Sequence, residues 1–136
     1  MADITAIAAG LATRIATTGI NAVGYAPGAI VTPVAVVIPN RPAILYGGTF
    51  DGETTVNLLA IVLVSAANDN TGQLTLNAVV ASSGAKSVAA AVQADPTLGG
   101  TCESSLVQQV SQYGLVEYAG QQYMGATFLV QVFAHL

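Results

Sequence analysis

The sequence predicts an α+β fold, in which a small, mostly antiparallel sheet carries an N-terminal helix and a central helix pair packed on it. Three observations lead to this prediction. Apolar residues recur at helical spacing near the start of the chain and again in two segments of its middle. Apolar runs with the shorter period of β-strands fill the stretch between these helices and the end of the chain. A length of 136 residues without a repeat or a linker indicates a single domain over residues 1–136.

The first predicted helix covers residues 3–18. Asp3 is placed to cap its amino end, and Arg14 lies near its carboxyl end, where a positive charge interacts favourably with the helix dipole. Gly10 lowers the helix propensity of the segment. One apolar stripe nevertheless recurs every three or four residues, and it consists of Ile4, Ile7, Ala8, Leu11 and Ile15.

Residues 20–46 are predicted to be extended. Four prolines interrupt short β-branched runs at 30–32, 34–38 and 44–46, and these prolines are Pro27, Pro33, Pro39 and Pro42. Because proline cannot donate a ladder hydrogen bond, the runs should be edge strands or extended arms. The glycine-rich residues 47–52 predict a turn or a loop.

Residues 53–65 predict the central strand of the sheet. Val56, Leu58, Ala60, Val62 and Val64 share one face, and Leu59, Ile61 and Leu63 share the other. Since both faces are apolar, we expect this strand to be covered on both sides.

Two helices should follow, over residues 72–82 and 84–94. Their inward stripes are Leu76, Val79 and Val80 in the first and Val88, Ala91 and Val92 in the second. Ser83 is the predicted N-cap of the second helix, and Asp95-Pro96 should end it. Ser83 and Lys86 also have the Ser-x-x-Lys spacing of some acyl-transferring enzymes, but the companion S-D-N and K-T-G motifs do not occur in this chain.

The end of the chain is predicted to be β. Residues 101–113 alternate loosely, with Cys102, Leu106 and Val110 on one side. Strands at 115–118 and 122–133 flank a hairpin loop at 119–121, where Gly120 can adopt a positive φ. The last strand should direct one row of side chains into the core, namely Met124, Ala126, Phe128, Val130 and Val132.

Charged residues make up only 7% of the chain, and the net charge is -4. Three scattered basic residues, Arg14, Arg41 and Lys86, exclude a conventional nucleic-acid binder, which needs clustered cations. The most apolar run is too short to span a membrane, and no export signal precedes it. One cysteine and one histidine exclude an internal disulfide and leave few metal ligands. A surface so poor in charge suits a subunit whose faces are covered in an assembly.

The remaining candidate residues favour structural or contact roles. We interpret Asp51 and Glu53 as a solvated turn, Asp69-Asn70 as an incomplete calcium loop, and His135 as part of a fraying end. Tyr113, Tyr118 and Tyr123 cluster around the hairpin and suit strand packing or a subunit contact better than ligand stacking. We therefore expect no enzyme activity, no catalytic residue, no cofactor and no metal site.

The segment from Pro39 to Glu53 is the predicted interface. Exposed aromatic side chains beside an arginine are typical of contact hot spots, and this glycine- and proline-rich segment should be an arm that orders on a neighbouring subunit or on the structure below it. The alternative for this segment is a flexible surface loop. The candidate interface residues are Pro39, Arg41, Pro42, Tyr46, Phe50, Asp51 and Glu53.

Three short motifs carry a resemblance to a known family. They are Gly84-Ala85-Lys86-Ser87-Val88, then Asp95-x-Thr97-Leu98-Gly99-Gly100, and finally residues 123–130, YMGATFLV. Together with the amphipathic start and the proline-rich region before one long apolar strand, they make the chain resemble the tail terminator or head–tail connector (neck) proteins of long-tailed phages of actinobacteria.

This resemblance implies a virion structural protein of a siphovirus, assembled in the host cytoplasm and located in the tail or neck. Such proteins form a homohexameric ring on the finished tail tube, stop its polymerisation and join it to the head connector or stopper protein. DNA passes through the lumen without specific binding. Two other hypotheses stay open: another neck or tail protein, such as a connector or a tube subunit richer in strands, and a small enzyme or ligand-binding module.

Overall fold

The computed structural model describes residues 3–24, 33–46, 54–65, 70–118 and 120–134. Three helices and five strands follow one another as α1 (Ile4–Ala16), β1 (Asn21–Val23), β2 (Val34–Tyr46), β3 (Thr54–Ser65), α2 (Asn70–Val80), α3 (Val88–Ala94), β4 (Ser104–Tyr118) and β5 (Gln121–Ala134). The strands form a mostly antiparallel sheet with the N-terminal helix and the central helix pair packed on it. The predicted α+β architecture is therefore confirmed.

The sheet has the strand order β1-β2-β3-β5-β4. β1 runs parallel to β2, and the other neighbours are antiparallel. The ladder between β3 and β5 extends from the pair Thr54 and Ala134 to the pair Ser65 and Met124. The central position predicted for residues 53–65 is confirmed, because β3 has a partner strand on each side.

β2 combines two of the predicted runs in one strand. β1 covers only residues 34–36 of its outer side, so the portion with Pro39 and Pro42 lies at the edge of the described sheet. Its pairing with β3 shifts register between Pro39 and Ile44. Edge placement of Pro39 and Pro42 is confirmed, and it follows from their missing backbone donors. The run at residues 30–32 lies outside the described residues.

All three helices pack on the same face of the sheet. The main core joins Ile7, Leu11 and Ile15 of α1, Leu76 and Val79 of α2, and Val88 and Val92 of α3 to the inward rows of β3 and β5. The row predicted for β5 is confirmed, since Met124, Ala126, Phe128, Val130 and Val132 are all buried in this core.

α1 begins as predicted. Asp3 accepts a hydrogen bond from the Thr5 backbone N–H at 2.9 Å, which satisfies one of the free donors of the first turn. Arg14 lies in the last turn, and its Nε donates to the Ala91 carbonyl of α3 at 3.1 Å. Glycine is required at position 10 despite its low helix propensity, because a Cβ there would collide with the Leu98 carbonyl oxygen.

The start of α3 corrects the predicted cap. The helix begins at Val88, four residues after the predicted start at Gly84, and its N-cap is Ser87. The Ser87 hydroxyl accepts from the Ala90 N–H at 3.1 Å and donates to the carbonyl of Ala81, the residue that follows α2. Ser83 instead lies exposed in the bend between the helices. The assignment to Ser83 was wrong because several serines can cap, and packing of the bend selects the buried one.

β4 corrects a second prediction. It is one continuous strand whose pairing with β5 shifts register after Val107 and again after Val110. Cys102 precedes the strand, and Leu106 and Val110 lie on opposite faces because the first shift adds one extra residue between them. The predicted common face of these three residues is therefore wrong. Both Leu106 and Val110 are exposed, consistent with the position of β4 at the edge of the sheet.

Candidate interaction surface

The candidate site is the face of the sheet on which no described helix packs. We call it the helix-free face. The paired strand registers place on it Val34, Val36 and Ile38 of β2; Thr55, Asn57, Leu59, Ile61 and Leu63 of β3; Tyr123, Gly125, Thr127, Leu129, Gln131 and Phe133 of β5; and Leu106, Gln109, Gln112, Gly114, Val116 and Tyr118 of β4.

One end of the helix-free face holds its own small hydrophobic cluster. Val34, Leu63, Val116 and Tyr123 are buried there, and Ile61 and Tyr118 pack against them. Gly125 allows the strands to approach closely at this end, because a Cβ at that position would collide with the Val62 carbonyl oxygen. This cluster is separate from the main core, and it is built by four strands without a helix.

The rest of the helix-free face is neutral, and its side chains range from buried, as at Val36 and Thr127, to exposed, as at Leu106. Leu59, Leu129 and Phe133 each keep part of their surface accessible. None of the residues assigned above to this face is Asp, Glu, Lys or Arg. We expected both faces of β3 to be covered, and the described helices cover one of them.

Glutamine and threonine side chains supply the polar part of this face. The Gln108 side-chain amide at the first register shift donates to Gln131 Oε1 at 3.2 Å, and the Thr127 hydroxyl donates to Gln112 Oε1 at 3.3 Å. Neutral amides neither attract nor repel a charged polymer strongly. Such a surface suits an apolar or neutral partner.

The predicted interface residues are only partly described. Pro39 is exposed in β2. Arg41, Pro42 and Tyr46 belong to the same strand, and Tyr46 lies opposite Thr54 of β3. Phe50, Asp51 and Glu53 lie outside the described residues. The portion from Pro39 to Tyr46 is thus a sheet strand of its own chain rather than a separate arm, and its role as an interface remains a prediction.

Ser83 and Lys86 are both exposed in the connection between α2 and α3. A serine nucleophile assisted by lysine requires a desolvated, uncharged amine beside the hydroxyl, and this exposure does not provide one. His135 and Asp69 lie outside the described residues. In the described part of the chain, no group of three or more His, Cys, Asp and Glu residues could hold a metal ion.

The three tyrosines around the hairpin do not form one cluster. Tyr113 lies on the helix-bearing side, where its hydroxyl donates to Asn77 Oδ1 of α2. Tyr123 is buried on the helix-free face, and its hydroxyl donates to Gln121 Oε1 at 3.0 Å. Tyr118 packs near Tyr123 in the small cluster. The alternation of strand side chains separates Tyr113 from the other two, so the three rings cannot stack on one ligand.

Cys102 and Asp95 have shifted pKa values that follow from local structure. Cys102 is half-buried beside the main core, and burial raises the pKa of its thiol, so the thiol stays protonated at neutral pH. The Asp95 carboxylate accepts from the Thr97 hydroxyl at 2.6 Å and from the Gly99 N–H at 3.0 Å. These hydrogen bonds, that of Thr97 first, lower the pKa of Asp95. Both residues thus have structural roles in the turn after α3.

Among the described helices, none is long and apolar enough to cross a membrane. The chain matches no protein-family model, and no curated protein is similar enough to count as a relative.

Proposed function

We propose that this protein is a phage virion structural protein, a tail terminator whose ring caps the tail tube, stops its polymerisation and joins it to the head connector. The observation that carries the proposal is the neutral helix-free face. It carries buried and half-buried apolar side chains, with Leu106 exposed, and no charged residue is among those assigned to it. A protein with 7% charged residues keeps such a face soluble most easily when a neighbouring subunit covers it.

The charge balance is compatible with a channel for DNA. A conduit should not carry clusters of cations, because each phosphate contact would bind the passing DNA and slow it. Only three basic residues occur in the chain, and the two described side chains, Arg14 and Lys86, belong to the helix-bearing side and to an α2–α3 turn. The helix-free face thus offers DNA no cation among its assigned residues.

The proposed partners are other copies of this chain in a hexameric ring, the tail tube protein and the head connector or stopper protein, with DNA passing through the lumen. Ring closure requires two different complementary surfaces on each subunit. The helix-free face would supply one of them. A tube subunit remains the alternative, for which we expect more strand and less helix.

Electron microscopy of the purified protein tests the proposal, with a tail tube protein added in a second sample. We expect rings with a central channel and, in the second sample, tubes of limited length ending in a ring. Thr55→Lys places a charge on the helix-free face and should reduce ring formation. Thr75→Lys, an equally half-buried position on α2, is the matched control and should leave rings intact.

Two results would contradict the proposal. The first is a monomer at high concentration that also leaves tube length unchanged. The second is the absence of the protein from purified phage particles in mass spectrometry. A protein found in the particle that does not limit tube length would favour another neck or tail role.

A further inference from the structure

The outer edge of β4 is the feature of the molecule that this function leaves unexplained. β4 is the last strand of the sheet, and no strand in the described part of the chain pairs with its outer side. It is 15 residues long, contains no proline and carries a single charged residue, Glu117. A long uncharged edge strand presents a row of backbone donors and acceptors that readily pair with another strand.

The two edges of the sheet differ in how well they resist such pairing. The opposite edge is shortened by the three-residue β1, and Pro39 and Pro42 remove donors where β2 is uncovered. β4 has two register shifts, after Val107 and after Val110, which disrupt its first half. The second half, residues 112–118, pairs with β5 without a further shift. The regular half of β4 is therefore the unprotected edge.

The apolar surface of the molecule is concentrated on the same strand. Five large hydrophobic side chains are exposed among the described residues, and four of them belong to β4: Leu106, Val110, Tyr113 and Leu115. Tyr113 is 50% exposed and Leu115 is 55% exposed, and both project from the regular half on the helix-bearing side. Backbone groups and apolar side chains thus point to the same kind of partner, an extended strand with apolar residues.

We infer that the regular half of β4 pairs antiparallel with β4 of a second copy of this chain. An antiparallel strand can pair with its own copy about a twofold axis, because the same edge serves as both partners. An axis at Gly114 sets Tyr113 of each copy opposite Leu115 of the other copy. The same axis separates the two Glu117 carboxylates, so like charges do not face each other.

Charge also favours a second copy over an unrelated partner. The edge has no cation and a single acid, so it offers little for a charged peptide to recognise. A strand that pairs with the β4 edge must be neutral, apolar and unpaired along its own edge. The β4 strand of a second copy has these properties. Pairing would join two sheets into one and continue the helix-free face across both copies.

This contact is separate from the head-to-tail contacts of the proposed ring and does not depend on them. Leu115→Lys tests it, because the twofold axis introduces two lysines into the shared edge. Leu74→Lys is the matched control, since Leu74 is 61% exposed but lies on α2. We expect Leu115→Lys to raise the dimer dissociation constant at least about tenfold in sedimentation, because like charges across paired strands repel. Leu74→Lys should leave it unchanged.

Hydrogen–deuterium exchange provides the second measurement. In the assembled wild-type protein, amides of residues 112–118 that do not bond to β5 should be protected, and Leu115→Lys should expose them. Circular dichroism shows whether each variant is folded.

A wild-type monomer at all concentrations, equal effects of the two substitutions, or rapid exchange along β4 in the assembled protein would overturn the inference. Dimers without rings would support the β4 pairing and contradict the proposed ring. Rings in which the β4 amides exchange rapidly would support the proposed ring and contradict the β4 pairing.

Discussion

Replacing Ser87 by alanine should destabilise the protein more than replacing Ser83, although Ser83 is the cap that the sequence predicts. Ser87 is 1% exposed and joins two helices. Its hydroxyl accepts from the Ala90 N–H in the first turn of α3 and donates to the Ala81 carbonyl that follows α2. Ser83 is exposed in the bend. The two serines therefore form a matched pair of substitutions four residues apart.

The expected magnitude follows from these two hydrogen bonds. Loss of an N-cap side chain costs about 1 kcal/mol. Loss of the second hydrogen bond, which leaves a half-buried carbonyl without this donor, costs about another 1 kcal/mol. Ser87→Ala should thus lower the free energy of unfolding by about 2 kcal/mol, and exposed Ser83→Ala should change it by less than about 0.5 kcal/mol.

Urea denaturation followed by circular dichroism measures both values. With a slope of about 2 kcal/mol per molar urea for a chain of this size, Ser87→Ala should lower the midpoint by about 1 M. A shift caused by Ser83→Ala that equals or exceeds that of Ser87→Ala would refute the cap assignment. Ser87→Thr, which keeps the hydroxyl, should recover part of the loss, and failure to do so would indicate a packing effect instead.

Three further predictions concern the turn after α3 and the core. Gly10→Ala should destabilise the protein by about 1 kcal/mol in urea denaturation, because the collision with the Leu98 carbonyl outweighs the usual gain in helix propensity; a stabilised variant would contradict this contact. Asp95→Asn should lower stability at neutral pH, and the difference from wild type should shrink as the pH falls through about 4 and below. The lowered pKa of Asp95 means that its stabilisation is present above the ordinary aspartate pKa and is lost on protonation; a pH-independent difference in thermal denaturation would contradict it. Phe128→Ala, at 1% exposure the bulkiest fully buried position among the described residues, should cost about 3–5 kcal/mol by urea denaturation. Phe128→Leu should cost less than about 1.5 kcal/mol, and equal losses would argue against a cavity effect.

Much of the fold could be predicted from local patterns. The helical stripe of α1 and the alternation along β5 each identify the buried side, because a residue's direction in a helix or strand depends on its spacing alone. The Asp3 cap and the end of α3 at Asp95-Pro96 are equally local, since they depend on a side chain and its immediate neighbours. Placement of the prolines at an edge follows from a missing donor.

Tertiary structure decided the features on which the candidate surfaces depend. Ser87 caps α3 because the bend brings its hydroxyl to the Ala81 carbonyl. This contact cannot be predicted from the residues next to Ser83 or Ser87 in the sequence. The first register shift in β4 puts Leu106 and Val110 on opposite faces, and it arises from pairing with β5. The sequence pattern of β3 does not indicate which face the helices cover, because the residues of both faces are apolar. That choice, and the exposure of the β4 edge, come from the order in which distant strands pair, which local spacing does not specify.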